Sequence, residues 1–452
     1  MLLHASDELY ERIEDENSFR KMVSLYVMAP TMYSYVSWVL KKAEEDGVKR
    51  LYFLARDGYS MYRMASILCE KINSPIECRY LHCSRYAWRS AEFHLMGEKC
   101  LDYVCLGGID VTLRKMMYRA GLDDEEAVEA VRAIKETMGE KSNLGESAFG
   151  NAFNVTALDT PLSYRQVKDL QPALAACAPF MNKIYEKAAA AYPNACGFLE
   201  QEGFLDGTTW ALVDSGWIGS MQKTLLRLLQ SMGYQGGSKG YYFGMYEMPD
   251  GTSDSTYTTW YFGPHDQIRR KVYFSNSLFE CIYSATEGMT KGYAKQGEKY
   301  VPVFENPQSP NAAKISKSTE YLENYAKTVI GKNTIANLPE MSYNGKVVYA
   351  LLRLFMGKPL KEEVEEYGNY VFSDDVIGEE TQVVAAKLTE GEIKENYFFH
   401  KAFSFLSKKG KPVKESAWLE GSMVRGRKEG HAGLWHNAFY KYVLYIRKSL
   451  GR

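Results

Sequence analysis

Two hydrophobic periods alternate along the chain. Leu51-Tyr-Phe-Leu-Ala55 is a continuous apolar run behind the charged, glycine-containing stretch Glu44–Arg50, which predicts a short buried strand. Arg56-Asp57-Gly58 is turn chemistry. Met61, Met64, Ile67, Leu68 and Ile72 then recur at helical spacing, and Asn73-Ser74-Pro75 stops that helix. Cys78-Arg-Tyr-Leu-His-Cys83 reads as a second strand, running into Ser84-Arg85. Strand, helix and strand in so short a compass predict a βαβ unit with parallel strands.

From Ala87 to Gln201 the period turns helical, with amphipathic stretches over Asp123–Gly139 and Leu162–Tyr192. The strand pattern resumes at Thr209-Trp-Ala-Leu-Val213, followed by a glycine-containing loop over Asp214–Ser220. A helix follows, marked by Met221, Leu225, Leu226, Leu228, Leu229 and Met232. After the Gly236-Gly237 break, Lys239–Met245 is another strand. Phe274–Tyr293 reads as a helix followed by a loop, and Asn306–Ile315, with two prolines, as a linker. The expected architecture is α/β, a Rossmann-like parallel sheet of at least four strands with a helical cap insertion and a mostly helical C-terminal region. Its parts are N-terminal helices over 1–46, an α/β core over 47–86 and 202–300, a cap over 87–201, and a basic helical region over 316–452.

Composition narrows the functional classes. Apolar residues make up 46% of the 452 and charged residues 25%, which excludes a mainly disordered chain. The net charge of −1 gives no overall drive toward nucleic acid. The segment Lys401–Arg452, however, holds twelve Lys/Arg against three Asp/Glu, a surplus of +9, including the basic loop Ser407–Lys414. This is either a solvated helical surface or a face for an anionic membrane, polymer or acidic partner. The eight cysteines form no CxxC pair and read as reduced thiols, so a cytoplasmic location is expected. Met1–Asn17 has no hydrophobic signal core. Leu25–Leu40 is too short to span a bilayer and reads as buried helix.

In a parallel sheet, ligands bind beyond the C-terminal ends of the strands. Three such ends carry polar residues: Arg56/Asp57, Ser84/Arg85 and Asp214/Ser215. The loop with Gly216 and Gly219 leads into a helix N-terminus, whose free N–H groups suit a phosphate. Arg56 and Arg85 can grip a phosphate bidentately. Asp57 and Asp214 are candidates for Mg²⁺ ligation or general-base catalysis. Gly58, Ser84, Ser215, Trp217, Ser220 and Gln222 complete the candidate phosphate and substrate contacts, and Glu280 and Glu287 are candidates for sugar hydroxyls. Singly, each has a structural reading: Asp-Gly is an ordinary turn, and Asp214 or Ser215 also reads as a helix cap. Together, at three strand ends of one sheet, they point to a small phosphorylated or nucleotide-sugar ligand.

Three resemblances bear on the chemistry. The strand ending Leu54-Ala55-Arg56-Asp57-Gly58-Tyr59 resembles the first motif of the haloacid dehalogenase (HAD) superfamily, a strand ending in Asp-x-Asp. Here one carboxylate is replaced, by Ala55 or by Tyr59 depending on the alignment. Ser84 and Val213-Asp214 resemble the later motifs of that superfamily. Leu54–Gly58 and Leu212–Ser220 are also similar to type I phosphoribosyltransferases, without their second acid and Thr-Gly pair. The longest match, carried by LYFLARDGYSM, YLHCSRYA, ALVDSGWIGSMQKTL, KGYYFGM, LFECIYSATEGMTKGY and AWLEGS, resembles bacterial "HAD-like hydrolases" of cell-surface polysaccharide gene clusters. The resemblance covers the module downstream of their usual N-terminal HAD domain. It implies a hydrolase or transferase acting on a phosphorylated or nucleotide-activated sugar. The alternatives are a phosphoribosyltransferase-like enzyme and a non-catalytic phosphate-binding scaffold.

Overall fold

The computed structural model describes residues 2–107, 111–140, 158–329, 334–372, 382–401, 414, 416–426 and 432–450. The N-terminal part forms helices α1 (Leu2–Arg12) and α2 (Ala29–Glu45), and Pro30 lies where a π-helical turn over Ser24–Met28 passes into α2. The first βαβ unit follows as expected: β1 (Arg50–Leu54), α3 (Gly58–Ile72) and β2 (Glu77–Leu81). Asn73 ends α3 in the left-handed conformation, the stop anticipated from Asn-Ser-Pro.

The excursion between β2 and the next strand is helical. It includes α4 (Arg85–Met96), α5 (Asp124–Glu140), α6 (Tyr164–Ala176) and α7 (Ala178–Gln201). The single amphipathic stretch read over Leu162–Tyr192 is divided at Cys177, whose extended backbone separates α6 from α7. This cap has its own core, in which Leu113, Met116, Val131, Leu170 and Phe180 pack together, and α4 lies along α7.

The chain then returns as β3 (Trp210–Trp217), α8 (Ser220–Ser231), β4 (Lys239–Met245) and β5 (Tyr257–Phe262). The sheet is parallel throughout, in the order β2-β1-β3-β4-β5, so the α/β, Rossmann-like architecture holds. Two details differ from expectation. The fifth strand lies in Tyr-Thr-Thr-Trp-Tyr-Phe, a β-branched and aromatic run. Strand β3 also continues past Val213, so Asp214 to Trp217 belong to the sheet, not to a loop, and Gly216 and Trp217 pair with Gly244 and Met245. Two glycines face each other there because a Cβ on Gly216 would lie 2.5 Å from the Gly244 carbonyl oxygen.

After β5, the helix read over Phe274–Tyr293 is confined to α9 (Asn276–Tyr283), and Tyr293 lies in a hairpin of β6 (Thr290–Gln296) and β7 (Lys299–Phe304). The hairpin clamps the cap to the sheet. Tyr293 stacks on Phe198 of α7 at 4.3 Å, and its hydroxyl donates to the His82 carbonyl at 2.9 Å. The expected linker runs into α10 (Ala312–Val329), which packs against α3 and α1. One hydrophobic core therefore runs from Leu2 through both α3 and α10 to Trp418. The basic loop expected at Ser407–Lys414 lies outside the described residues, except Lys414, whose ammonium pairs with Glu392 at 3.0 Å. The last element is α11 (Ala432–Ser449). All eight cysteines are free thiols. Among the described residues no helix is long and apolar enough to cross a membrane.

At the N-terminal edge of the sheet, Arg50 binds Glu77 at 2.6 Å and Asp206 at 2.7 Å, tying β1 to β2 and to the turn before β3. In the core under β4, Phe243 is fully buried among Tyr35, Trp260, Phe274 and Phe279. Phe243→Ala is expected to cost about 3–5 kcal/mol of stability. Urea unfolding should show it as a lowered midpoint.

Candidate functional site

The strand order reverses direction at β1: β2 lies on one side and β3 on the other. A doubly wound sheet opens a crevice at such a point, beyond the carboxyl ends of the two central strands. Those ends are Ala55–Gly58 and Asp214–Trp217. The Ala55 N–H still donates to the Leu81 carbonyl at 3.0 Å, and the Ala55–Arg56 peptide is cis. The chain then turns into α3, where the Tyr59 N–H reaches the Arg56 carbonyl at 3.0 Å. Gly58 sits close over β1, since a Cβ there would meet the Phe53 carbonyl carbon at 3.0 Å.

Asp57 occupies the N-cap position of α3, yet its carboxyl does not cap the helix. It stands beside the Ser215 hydroxyl, and its Oδ2 is buried with no hydrogen-bond partner. Asp214 and Ser215 do not cap α8 either, because that role falls to Gly219 in the left-handed conformation. Asp214 is held from behind: Tyr35 of α2 donates to the carbonyls of Tyr241 at 2.8 Å and Asp214 at 3.1 Å. A third carboxyl, Glu280 of α9, accepts a hydrogen bond from the Trp217 indole N–H. Trp217 has φ of +65°, a left-handed conformation that costs a bulky residue about 1–3 kcal/mol.

The three carboxyls perturb one another. Each of the three residues is half-buried, with its carboxyl largely surrounded by protein. Desolvation therefore dominates and raises Asp57, Asp214 and Glu280 alike. Asp214 stands well above the usual carboxylate range, pushed further by the charges of Asp57 and Glu280. Glu280 is raised to about 7 by burial and then by Asp57. The Ser215 hydroxyl and the guanidiniums of Arg56 and Arg85 oppose the shift of Asp57. Among the described residues neither guanidinium has an ion pair or hydrogen bond of its own. The arrangement sets three carboxyls, all raised by burial, beside two cations.

The remaining candidates divide. Gly58, Ser215, Gly216 and Trp217 shape the crevice, and Gly219 and Ser220 stand where α8 begins beside it. Ser84 caps α4 by accepting from the Ala87 N–H at 3.0 Å, and donates to the Thr290 carbonyl at 2.6 Å. Its hydroxyl is committed to structure. Gln222 is a correction as a ligand contact: it is buried, and its amide serves Ser238, Thr256 and Tyr242 inside the fold. Glu287 lies to the side of β2, accepting from Tyr80 at 2.8 Å and lying 3.6 Å from His82 Nδ1. Tyr35 escaped the sequence reading because it sits in the apolar run Leu25–Leu40, where only its hydroxyl hints at a polar partner. The Mg²⁺ expected at Asp57 and Asp214 finds no ready cage: among the described residues no group of three or more His, Cys, Asp or Glu could hold a metal ion.

No family model matches the chain, and no curated protein matches it.

Glu280 generates a pH prediction. Its folded pKa is raised from 4.5 to about 7, so the stability it contributes is fully present below pH 4.5 and is lost as pH rises through 7. Glu280→Gln keeps the oxygen that accepts from Trp217 and removes that loss. Melting temperatures of the variant and the parent should converge near pH 4.5 and separate in the variant's favour at pH 8.

Proposed function

We propose that this chain is a HAD-like hydrolase or transferase that acts on a phosphorylated or nucleotide-activated sugar in bacterial surface-polysaccharide metabolism. The observation that carries the reading is the meeting, at the switch point of the sheet, of three carboxyls raised by burial with two uncommitted guanidiniums. Arg56 and Arg85 would bind the phosphate, offering paired donors to its oxygens and balancing its charge. In such a cluster the like charges keep at least one proton bound at neutral pH, while a neighbour stays ionised.

That division suits general acid–base chemistry. The ionised carboxyl of the Asp57/Asp214 pair takes a proton from the attacking water or acceptor hydroxyl as its oxygen bonds to the reacting centre. The protonated partner delivers its proton to the departing oxygen as the old bond breaks. Direct displacement is the fitting route, because Ala55 or Tyr59 replaces one carboxylate of the HAD pair and the two-aspartate phosphoaspartate mechanism is incomplete. Glu280, bound to Trp217, sets the charge of the pair from below.

The replaced carboxylate also favours a second reading, a phosphate-binding module without turnover. The two readings part on one experiment. Thermal shift with sugar phosphates, nucleotide sugars and phosphoribosyl pyrophosphate, each with and without Mg²⁺, should find a ligand that stabilises the fold by about 2–4 kcal/mol when well above its Kd. Arg56→Ala and Arg85→Ala should abolish that shift. Product formation lost in Asp57→Asn and Asp214→Asn, with the shift retained, supports the enzyme. A shift without turnover in the parent chain supports the binding module, and full turnover in both Asn variants would refute the site assignment.

A further inference from the structure

The chemistry proposed at the crevice uses none of the chain's eight thiols. Two of them stand together: the sulfurs of Cys69 and Cys78 lie 3.8 Å apart, and no other pair of cysteine sulfurs makes such a contact among the described residues. The local fold puts them there. Cys69 is in the last turn of α3, and Asn73 ends that helix in the left-handed conformation, which reverses the chain. The Ser74 N–H donates to the Cys69 carbonyl at 2.9 Å and the Ile76 N–H to the Ser74 hydroxyl at 3.2 Å, so the return is tight. Cys78 then enters β2 opposite Leu51 of β1. Because α3 packs over both strands, its last turn meets the start of β2. The pair sits at the margin of the core: Cys69 is 8% exposed and Cys78 is half-buried.

A disulfide holds its sulfurs about 2.0 Å apart, so this pair has to close by roughly 1.8 Å. The Cys78 S–H donates to the Cys69 sulfur, which lowers Cys69 from its ordinary thiol value against the pull of burial. The same contact, and then burial, hold Cys78 well above that value. We propose that Cys69 and Cys78 are a peroxide-sensitive pair, which oxidation joins as a disulfide that staples the end of α3 to the edge strand of the sheet. The Cys69 thiolate attacks one oxygen of hydrogen peroxide. An S–O bond forms, the O–O bond breaks, and the departing oxygen leaves with the thiol's proton as water. The Cys78 sulfur then attacks the sulfenic sulfur of Cys69. The S–S bond forms, the S–O bond breaks, and the hydroxyl leaves with the Cys78 proton as a second water. Two thiols are oxidised and one peroxide is reduced. Strand β2 has one hydrogen-bonded neighbour in the sheet, β1, and the staple adds a covalent tie at the edge remote from the crevice. Helix α3 begins just past Asp57, and β2 leads to Arg85. The bond therefore constrains two elements that carry site residues without touching the site. The inference is independent of the chemistry proposed at the switch point.

Titration of the reduced full chain with hydrogen peroxide tests it. Trypsin separates the two cysteines, because cleavage after Arg63, Lys71 and Arg79 puts Cys69 in the peptide 64–71 and Cys78 in the peptide 72–79, each with no other cysteine. The oxidised chain should be lighter by two hydrogen atoms, lose two of its eight alkylatable thiols, and yield those two peptides joined. Dithiothreitol should restore both thiols. The link should form at least about tenfold faster than any other between two of the cysteines, because its sulfurs are already in contact. Cys69→Ser and Cys78→Ser should each abolish it. In Cys78→Ser the Cys69 sulfenic acid, lacking its partner, should be trapped by dimedone. The peptide map of the parent decides the matter without either variant. Failure of the joined peptide to appear overturns the inference. A link from Cys69 or Cys78 to another cysteine at an equal rate overturns it too, and so does conversion of Cys69 to the sulfinic acid in the parent before any link forms.

Discussion

The parallel pairing of β1 with β3 is the constraint on which the site depends. It sets Phe53 opposite Val213 and so delivers Arg56 and Asp57 to the same crevice as Asp214 and Ser215. Neither strand brings this cluster together alone. Polar ties hold β3 and its neighbours at both edges of the sheet. At the N-terminal edge, the Arg50 guanidinium spans Glu77 and Asp206. At the C-terminal edge, the Tyr35 hydroxyl ties β3 to its other neighbour, β4, through their carbonyls. Between them the strands are buried and nearly featureless, which leaves polar chemistry only where the sheet ends.

The central sheet was legible because its strands are short apolar runs closed by turn residues, and the helices between them keep a helical period. β3 was misjudged at its C-terminal end because Asp-Ser-Gly-Trp has the composition of a loop. It stays in the sheet through the Gly216–Gly244 approach, a tertiary fact that no local pattern carries. β5 and the β6–β7 hairpin are aromatic and β-branched segments whose alternation is partial, and their partners are distant in sequence. The site was legible at Arg56, Asp57 and Asp214, where polar residues follow apolar strands. Glu280 was visible only as an acid on a helix, since its meeting with Asp57 and Asp214 comes from α9 packing under the sheet. Gln222 shows the converse: a polar residue just past a glycine turn that faces inward to satisfy strand-end carbonyls.

Electrostatics separates the ends of the molecule. At the N-terminal edge Glu77 and Asp206 lie low in pKa, Asp206 through the Thr208 N–H and then Arg50, Glu77, against the pull of burial, through Arg50 and Arg79. The crevice at the opposite edge leaves its carboxyls protonatable and its arginines uncommitted. The same residue types therefore serve as ties in one place and stand with raised pKa in the other, and burial decides which.

The cap also bears on how the chain reaches this state. Joining β1 to β3 closes the whole stretch from Ala55 to Thr209, and the entropy lost in that closure grows with the logarithm of the loop. Because the cap has a core of its own, much of that stretch can condense locally before the strands meet. What then remains to be closed is a compact body with two nearby ends, α4 and α7, lying side by side. The insertion thus shortens the search it would otherwise lengthen, and mutations inside the cap core should register in the rate of assembly as well as in the final stability.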